Sequence, residues 1–209
     1  MTTLIEKIAT GEAPPFVPLT VEQYVQMAEV GILPTTPRVE LLDGLLVLKD
    51  RRDAEGDIMT EGPRHGLIGR RLFKYLDTQA EQVGCHARFQ QPMAIPPYHA
   101  PEPDVFVVRG PDTDYAERLP GPADTVAAIE VSWSSLRTDR STKLERYAAA
   151  GIPIYWIVDL VNERIEVYSD PIPAESRYGV RTVFDWKAAL SLPLPGGGTI
   201  HVPLAEIFP

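Results

Sequence analysis

Pro103-Asp104-Val105-Phe106-Val107-Val108, then Thr125-Val126-Ala127-Ala128-Ile129-Glu130-Val131-Ser132, then Asp139-Arg140-Ser141-Thr142-Lys143-Leu144-Glu145-Arg146-Tyr147 make up the stretch that decides the fold. Asp104 opens one apolar run and Glu130 closes another, so each carboxylate belongs to a strand end rather than to a solvated helix face. Buried strands seldom carry acids without a partner. In the third segment Leu144, Tyr147 and Ala148 have helical spacing, which puts Lys143 in an early turn of a helix able to lie across the strand that holds Glu130. Two carboxylates and one ammonium therefore fall at points that a compact fold can join. The same residues also suit a plain structural role, with Asp104 capping a turn, Glu130 paired to an arginine and Lys143 solvated.

Working outward, Thr20-Val21-Glu22-Gln23 has the form of a capping box, and Val21, Tyr24, Val25 and Ala28 predict a short helix stopped by Gly31. Residues 38–49 read as a hairpin around Asp43-Gly44, a type I′ turn signal. Residues 50–62 are polar and acidic and read as a mobile loop. From 64 to 83, Ile68, Leu72, Leu76 and Ala80, widened by Leu67 and Val83, predict an amphipathic helix ended by Gly84. Strands follow over 87–95, 104–109 and 125–132, then a helix over 139–150 ended by Gly151, then a strand over 153–159. Further strands are expected over 163–169 and 178–186. The core order is αβββαβ, in an α/β protein with a central mixed sheet flanked by helices.

The 209 residues and the 44% hydrophobic content suit one domain, with a core over about 62–160, an N-terminal helix and hairpin over 18–50 and a β extension over 161–209. A formal charge of −9, from 20 basic and 29 acidic residues, argues against unspecific wrapping of polyanions, although it permits a local basic face. Cys85 is the only cysteine, which excludes an internal disulfide and a cysteine-based zinc site. The N-terminus lacks the pattern of a signal peptide and no segment reaches the length of a membrane span, so a cytoplasmic protein with no membrane contact is expected.

Two carboxylates on adjacent strand ends are what a hard divalent cation needs, because Mg²⁺ takes oxygen ligands and keeps waters. A nearby lysine can orient the attacking water and offset charge building on a phosphoryl group. The four histidines show no zinc spacing, and Gly196-Gly197-Gly198 lacks the Lys-Ser/Thr of a phosphate loop.

The element order, together with Arg38-Val39-Glu40-Leu41-Leu42-Asp43-Gly44, Arg64-His65, Pro103-Asp104, Ile129-Glu130-Val131-Ser132, Lys143 with Tyr147, and Tyr155-Trp156-Ile157-Val158-Asp159, resembles the Uma-two family of restriction-endonuclease-like proteins in the PD-(D/E)xK nuclease superfamily. The similarity covers roughly residues 18 to 170. It implies a Mg²⁺- or Mn²⁺-dependent endonuclease acting on DNA, with Asp104 and Glu130 as metal ligands and the carbonyl of Val131 as a third. It implies Lys143 as the catalytic lysine, since the superfamily pattern places lysine two residues after the second acid and Ser132 stands there. Glu40 matches an acidic position of the pattern, where it would hold a second metal or orient a water; a structural strand-end pairing suits it equally. His65 suits a phosphate contact, a proton shuttle or a plain cap-region hydrogen bond, and Arg64, Arg70, Arg71 and Lys74 suit a phosphate-binding or merely solvated face. Two cuts in a duplex would require a homodimer. The other class of protein compatible with Ser132 and the acidic balance is a binding or assembly module that keeps the nuclease fold without catalysis. Trp133 and Trp156 are expected to pack in the core or an interface, and Asp139 to pair with Lys143 along their helix.

Overall fold

The computed structural model describes residues 10–11, 15–35, 38–49, 51–52, 58–59, 62–194 and 197–208. Helix α1, Val21–Glu29, begins at the capping box: Gln23 N donates to Thr20 Oγ1 at 3.3 Å and Thr20 N to Gln23 Oε1 at 2.9 Å. Strands β1 (Val39–Leu42) and β2 (Leu45–Leu48) pair across Asp43 and Gly44, whose φ values of 52° and 73° are those of a type I′ turn. A side chain at Gly44 would run into the backbone and ring of Pro18, with contacts as short as 2.3 Å. Most of 50–62, expected as a loop, lies outside the described residues; the described part forms a short antiparallel ladder of β3, Arg51–Arg52, with β4, Ile58–Met59.

Helix α2, Pro63–Glu81, buries Ile68, Leu72, Leu76 and Ala80 as its spacing requires. Leu67 and Val83 are nearly half exposed instead. The central sheet follows in six strands: β5 Cys85–Phe89, β6 Val105–Arg109, β7 Thr125–Ser132, β8 Ile154–Asp159, β9 Arg164–Ile172 and β10 Arg177–Asp185, in spatial order β10-β9-β8-β7-β6-β5. All neighbours are antiparallel except β7 and β8, which are parallel. A parallel pair needs a crossover, here α3, built of Leu136–Thr138, a π-turn over Asp139–Lys143, and Leu144–Ala149. β5 stops short of the predicted end at 95 because Gln90 takes φ 49° and the prolines beyond it leave only an isolated bridge between Ile95 and His99.

Alternation assigns each side chain of the sheet to a face. Val105, Val107, Ile129, Val131, Trp156 and Val158 pack under α2, whereas Phe106, Ala128, Tyr155 and Ile157 pack under α3 with Tyr147 and Ala148. The C-terminal hairpin of β11 (Ala189–Pro193) and β12 (Thr199–Pro203), followed by α4 (Leu204–Ile207), closes the α2 layer, and Trp186 stacks on Phe208 at 4.2 Å between ring centres. Trp156 is fully buried, as expected, but Trp133 is 51% exposed, because β7 has ended one residue earlier and the chain turns outward there.

Candidate active site

Glu130 lies on the α3 face of β7, where it is almost wholly shielded from water. The π-turn holds Lys143 over it: Lys143 Nζ donates to Glu130 Oε1 at 2.9 Å, and Tyr147 OH, one turn on, donates to the same oxygen at 2.9 Å. Widened turns of this kind recur at functional sites, where they re-aim side chains. Lys143 Nζ also lies 3.6 Å from Glu40 Oε2, so β1 delivers a second acid to the same ammonium. Asp139 does not pair with Lys143; its Oδ2 accepts from Ser132 Oγ at 2.6 Å. Ser132 therefore shares the face of Glu130 and commits its hydroxyl to the helix.

Asp104 stands just before β6. Its Oδ2 accepts from Val131 N at 2.8 Å, and His65 Nε2 at the start of α2 lies 3.2 Å from the same oxygen. A strand residue points its N–H and C=O to the same side, so the Val131 carbonyl also faces the Asp104 edge, beyond the last β6–β7 pair, Val105 with Ile129. The structure thus gathers Asp104, Glu130, Glu40, Lys143 and His65, all buried, around the ends of β6 and β7.

Two members of this cluster escaped sequence reasoning. Lys49, at the end of the hairpin, lies 3.8 Å from Asp104 Oδ1 and 3.7 Å from Glu102 Oε2, and donates to the Glu102 carbonyl at 2.8 Å. Glu102 in turn binds Arg38 at 2.7 Å, and its N–H donates to Glu40 Oε2 at 3.1 Å. The one signal for Glu102 was its place between two prolines directly before Asp104; Lys49 offered none.

The electrostatics separate the two strand-end acids. Burial by itself would raise Asp104, but the His65 hydrogen bond and the Lys49 charge together hold it well below the usual carboxylate range. Glu130 is pushed up to about 8 by burial first, against which the Lys143 charge works, with Asp104 and Asp139 adding repulsion. Lys143 resists the lowering effect of burial because Glu130, Glu40, Asp139 and Asp104 surround it, and it stays protonated. The second oxygens, Asp104 Oδ1 and Glu130 Oε2, accept no hydrogen bond among the described residues. Two acidic oxygens and a carbonyl suit a hard divalent cation in donor type. Among the described residues no group of three or more His, Cys, Asp or Glu side chains is drawn together around one point, so the carbonyl and waters would complete such a shell.

The basic residues of α2 are divided. Arg64 is taken up by Glu163 at 2.9 Å and by the face of Trp186, and Arg71 donates to the Ile207 carbonyl at 3.2 Å. Arg70 and Lys74 are exposed, each about 160° around the helix from buried Leu72, and so face away from the sheet. No helix among the described residues is long and apolar enough to cross a membrane.

The sequence matches the family model Uma2, described as "Putative restriction endonuclease", over residues 21–203. Among solved structures, the chain is similar to a "putative nuclease belonging to DUF820" from Anabaena variabilis, with a TM-score of 0.64 at 18% identity over 91% of this chain and 98% of that one. At that identity the likeness is one of fold, and it agrees with a mixed sheet flanked by helices. No curated protein matches.

Proposed function

Because the chain belongs to the Uma2 family of restriction-endonuclease-like proteins, we propose that it is a metal-dependent endonuclease that hydrolyses DNA phosphodiester bonds at the Asp104–Glu130 cluster. The observation that carries this reading is the Lys143 ammonium, buried and 2.9 Å from Glu130, although the residue two after that acid is Ser132. Asp104, Glu130 and the Val131 carbonyl would hold Mg²⁺ or Mn²⁺, which supplies a water of lowered pKa and neutralises charge on the phosphoryl group. Lys143, fixed by Glu130 and Glu40, orients the attacking water and offsets the charge that develops on the phosphate. Tyr147 keeps the Glu130 oxygen in place. His65, hydrogen-bonded to Asp104, sets the direction of that carboxylate. A duplex cut on both strands would take two copies of the chain.

Plasmid nicking in Mg²⁺ or Mn²⁺, with the Asp104→Ala variant prepared in parallel, tests the reading. Metal-dependent nicking by the wild type, abolished in the variant, supports it. Mn²⁺ binding without nicking would instead favour the non-catalytic nuclease-fold module.

A further inference from the structure

On the α3 face of the sheet, Glu130 has a counterpart two strands away. The register pairs Glu130 with Ile157 and Ile157 with Glu166, which puts the two glutamates in one row about 10 Å apart at the usual strand spacing. Glu166 has no exposure at all, and three arginines converge on it. Arg140, one turn before Lys143 on α3, binds it through Nε and Nη2; Arg181 binds through Nε at 3.3 Å and Nη2 at 3.1 Å; Arg164 reaches it through Nη2 at 3.6 Å. Asp159, equally buried, takes Arg140 Nη2 and Arg164 Nε, each at 3.2 Å.

Two acids do not require three arginines, because a single guanidinium can satisfy a carboxylate with two parallel hydrogen bonds. All three, moreover, are used in the same way. Each turns its Nε and Nη2 edge inward, and among the described residues no hydrogen bond or ion pair involves Nη1 of any of them. The side chains are 32% (Arg140), 36% (Arg164) and 49% (Arg181) exposed. The buried acids thus fix three guanidiniums whose outer donors face water, an arrangement suited to planar recognition of phosphate oxygens. Their place supports the same conclusion: Arg164 lies cross-strand from Asp159, and Asp159 from Ser132, two residues beyond Glu130 along β7.

We propose that Arg140, Arg164 and Arg181 form a backbone-binding arm that holds a DNA strand by its phosphodiesters about three nucleotide rises from the bond at Glu130. This rests on the nuclease reading, which supplies the identity of the polyanion. It explains how a chain of net charge −9 can approach DNA, since the fold masks the acids beneath the arm and presents the bases.

The test is fluorescence anisotropy of a labelled DNA duplex titrated with full-length protein in EDTA, over a series of salt concentrations. Arg164→Gln/Arg181→Gln should bind about tenfold more weakly and lower the slope of log K against log salt by roughly 1.8, about 0.9 for each phosphate no longer neutralised. Arg164→Lys/Arg181→Lys should restore most of the slope while remaining weaker, since lysine keeps the charge without the fork. Arg70→Gln/Lys74→Gln removes the same charge from the outward side of α2. If that variant reduces the slope while Arg164→Gln/Arg181→Gln keeps the wild-type slope, the arm is overturned. An equal reduction in both variants, or a wild type that binds no DNA, overturns it as well. Melting temperatures confirm folding, and if the double Gln variant fails to fold, Arg181→Gln alone should show about half the slope change. Because binding is read without metal, failure of the arm leaves the nuclease reading intact, whereas a wild type that binds but never nicks defeats the nuclease reading alone.

Discussion

Glu130 and Glu166 occupy equivalent places, in one row of the sheet and under one helix, and both are buried, yet their chemistry is opposite. Glu130 is pushed up to about 8, by burial first and then by Asp104 and Asp139, with Lys143 as the main opposing charge. Glu166 is drawn down to about 2: burial works against this, but hydrogen bonds from Arg140, Tyr168 and Arg181 outweigh it. Two things separate them: Glu130 is set deeper and bears the larger burial penalty, and among the described residues it has one close cation where Glu166 has three. An acid given a surplus of arginines is a finished structural element, whereas one left among other acids with one lysine is a place where additional positive charge lowers the free energy. By that criterion the proposed cation would sit beside Glu130 rather than beside Glu166.

The comparison breaks most visibly in activity. Asp104→Ala and Glu130→Gln should each lower metal-dependent nicking by on the order of 10²–10³-fold, while Glu166→Gln, if it folds, should leave nicking within about tenfold of wild type. Lys143→Ala should depress the rate more than the Mn²⁺ affinity. Calorimetric titration of Mn²⁺ alongside nicking separates the two; equal nicking by wild type and Asp104→Ala would remove the catalytic assignment.

Next in size is stability. Lys143→Met leaves Glu130 without its only cation within 4 Å among the described residues, and truncating one partner of a buried pair costs about 3–5 kcal/mol. That cost should shrink as pH falls and Glu130 takes up a proton instead, from a pKa that loss of the Lys143 charge raises further. Urea unfolding at two pH values measures it, and a pH-independent cost would show that Glu130 does not titrate.

The two glutamates should also give opposite pH slopes in metal-free protein. Glu130 has a folded pKa above its unfolded value of about 4.3, so the contribution tied to it is fully present below that value and is lost as pH rises through about 8. Glu166 has a depressed folded pKa, so its contribution is present above about 4.3 and is lost as pH falls through about 2. Thermal melts across pH should therefore lose the alkaline slope in Glu130→Gln and the acid slope in Glu166→Gln. The same slopes in the variants as in wild type would dissolve the contrast.

Sequence reasoning reached one half of this comparison and not the other. Apolar runs and a regular stripe carry their own period, so α2, β6, β7 and β8 were legible, and with them the acids at the strand ends. The π-turn was not, because one extra residue per turn leaves no mark on hydrophobic spacing; it is what carries Lys143 to Glu130 and parts it from Asp139. Lys49 and Glu102 join the site only when the hairpin docks through the bridge from Leu41 to Ala100. The row that relates Glu130 to Glu166 exists only as strand register, and Arg140, Arg164 and Arg181 come from a helix and two strands that no local pattern connects.

The smallest effect is the one that tests why the two sites differ. Arg181→Gln removes one of three cations from Glu166 and leaves Arg140 and Arg164 in place, along with the hydroxyl of Tyr168, which donates at 2.6 Å. With its side chain 49% exposed, Arg181 is little desolvated and its pairing is screened by water. Its removal should therefore lower stability by only about 0.5 kcal/mol, a small fraction of the Lys143→Met cost, as read from urea midpoints under the same conditions. Redundancy is the physical content of that ratio: three cations on one buried acid mean that any one can turn outward towards a ligand without stranding the charge beneath. A loss of stability for Arg181→Gln as large as for Lys143→Met would show that Glu166 needs all three arginines to stay ionised, and the arm would then be a structural clamp with no free capacity for a phosphate.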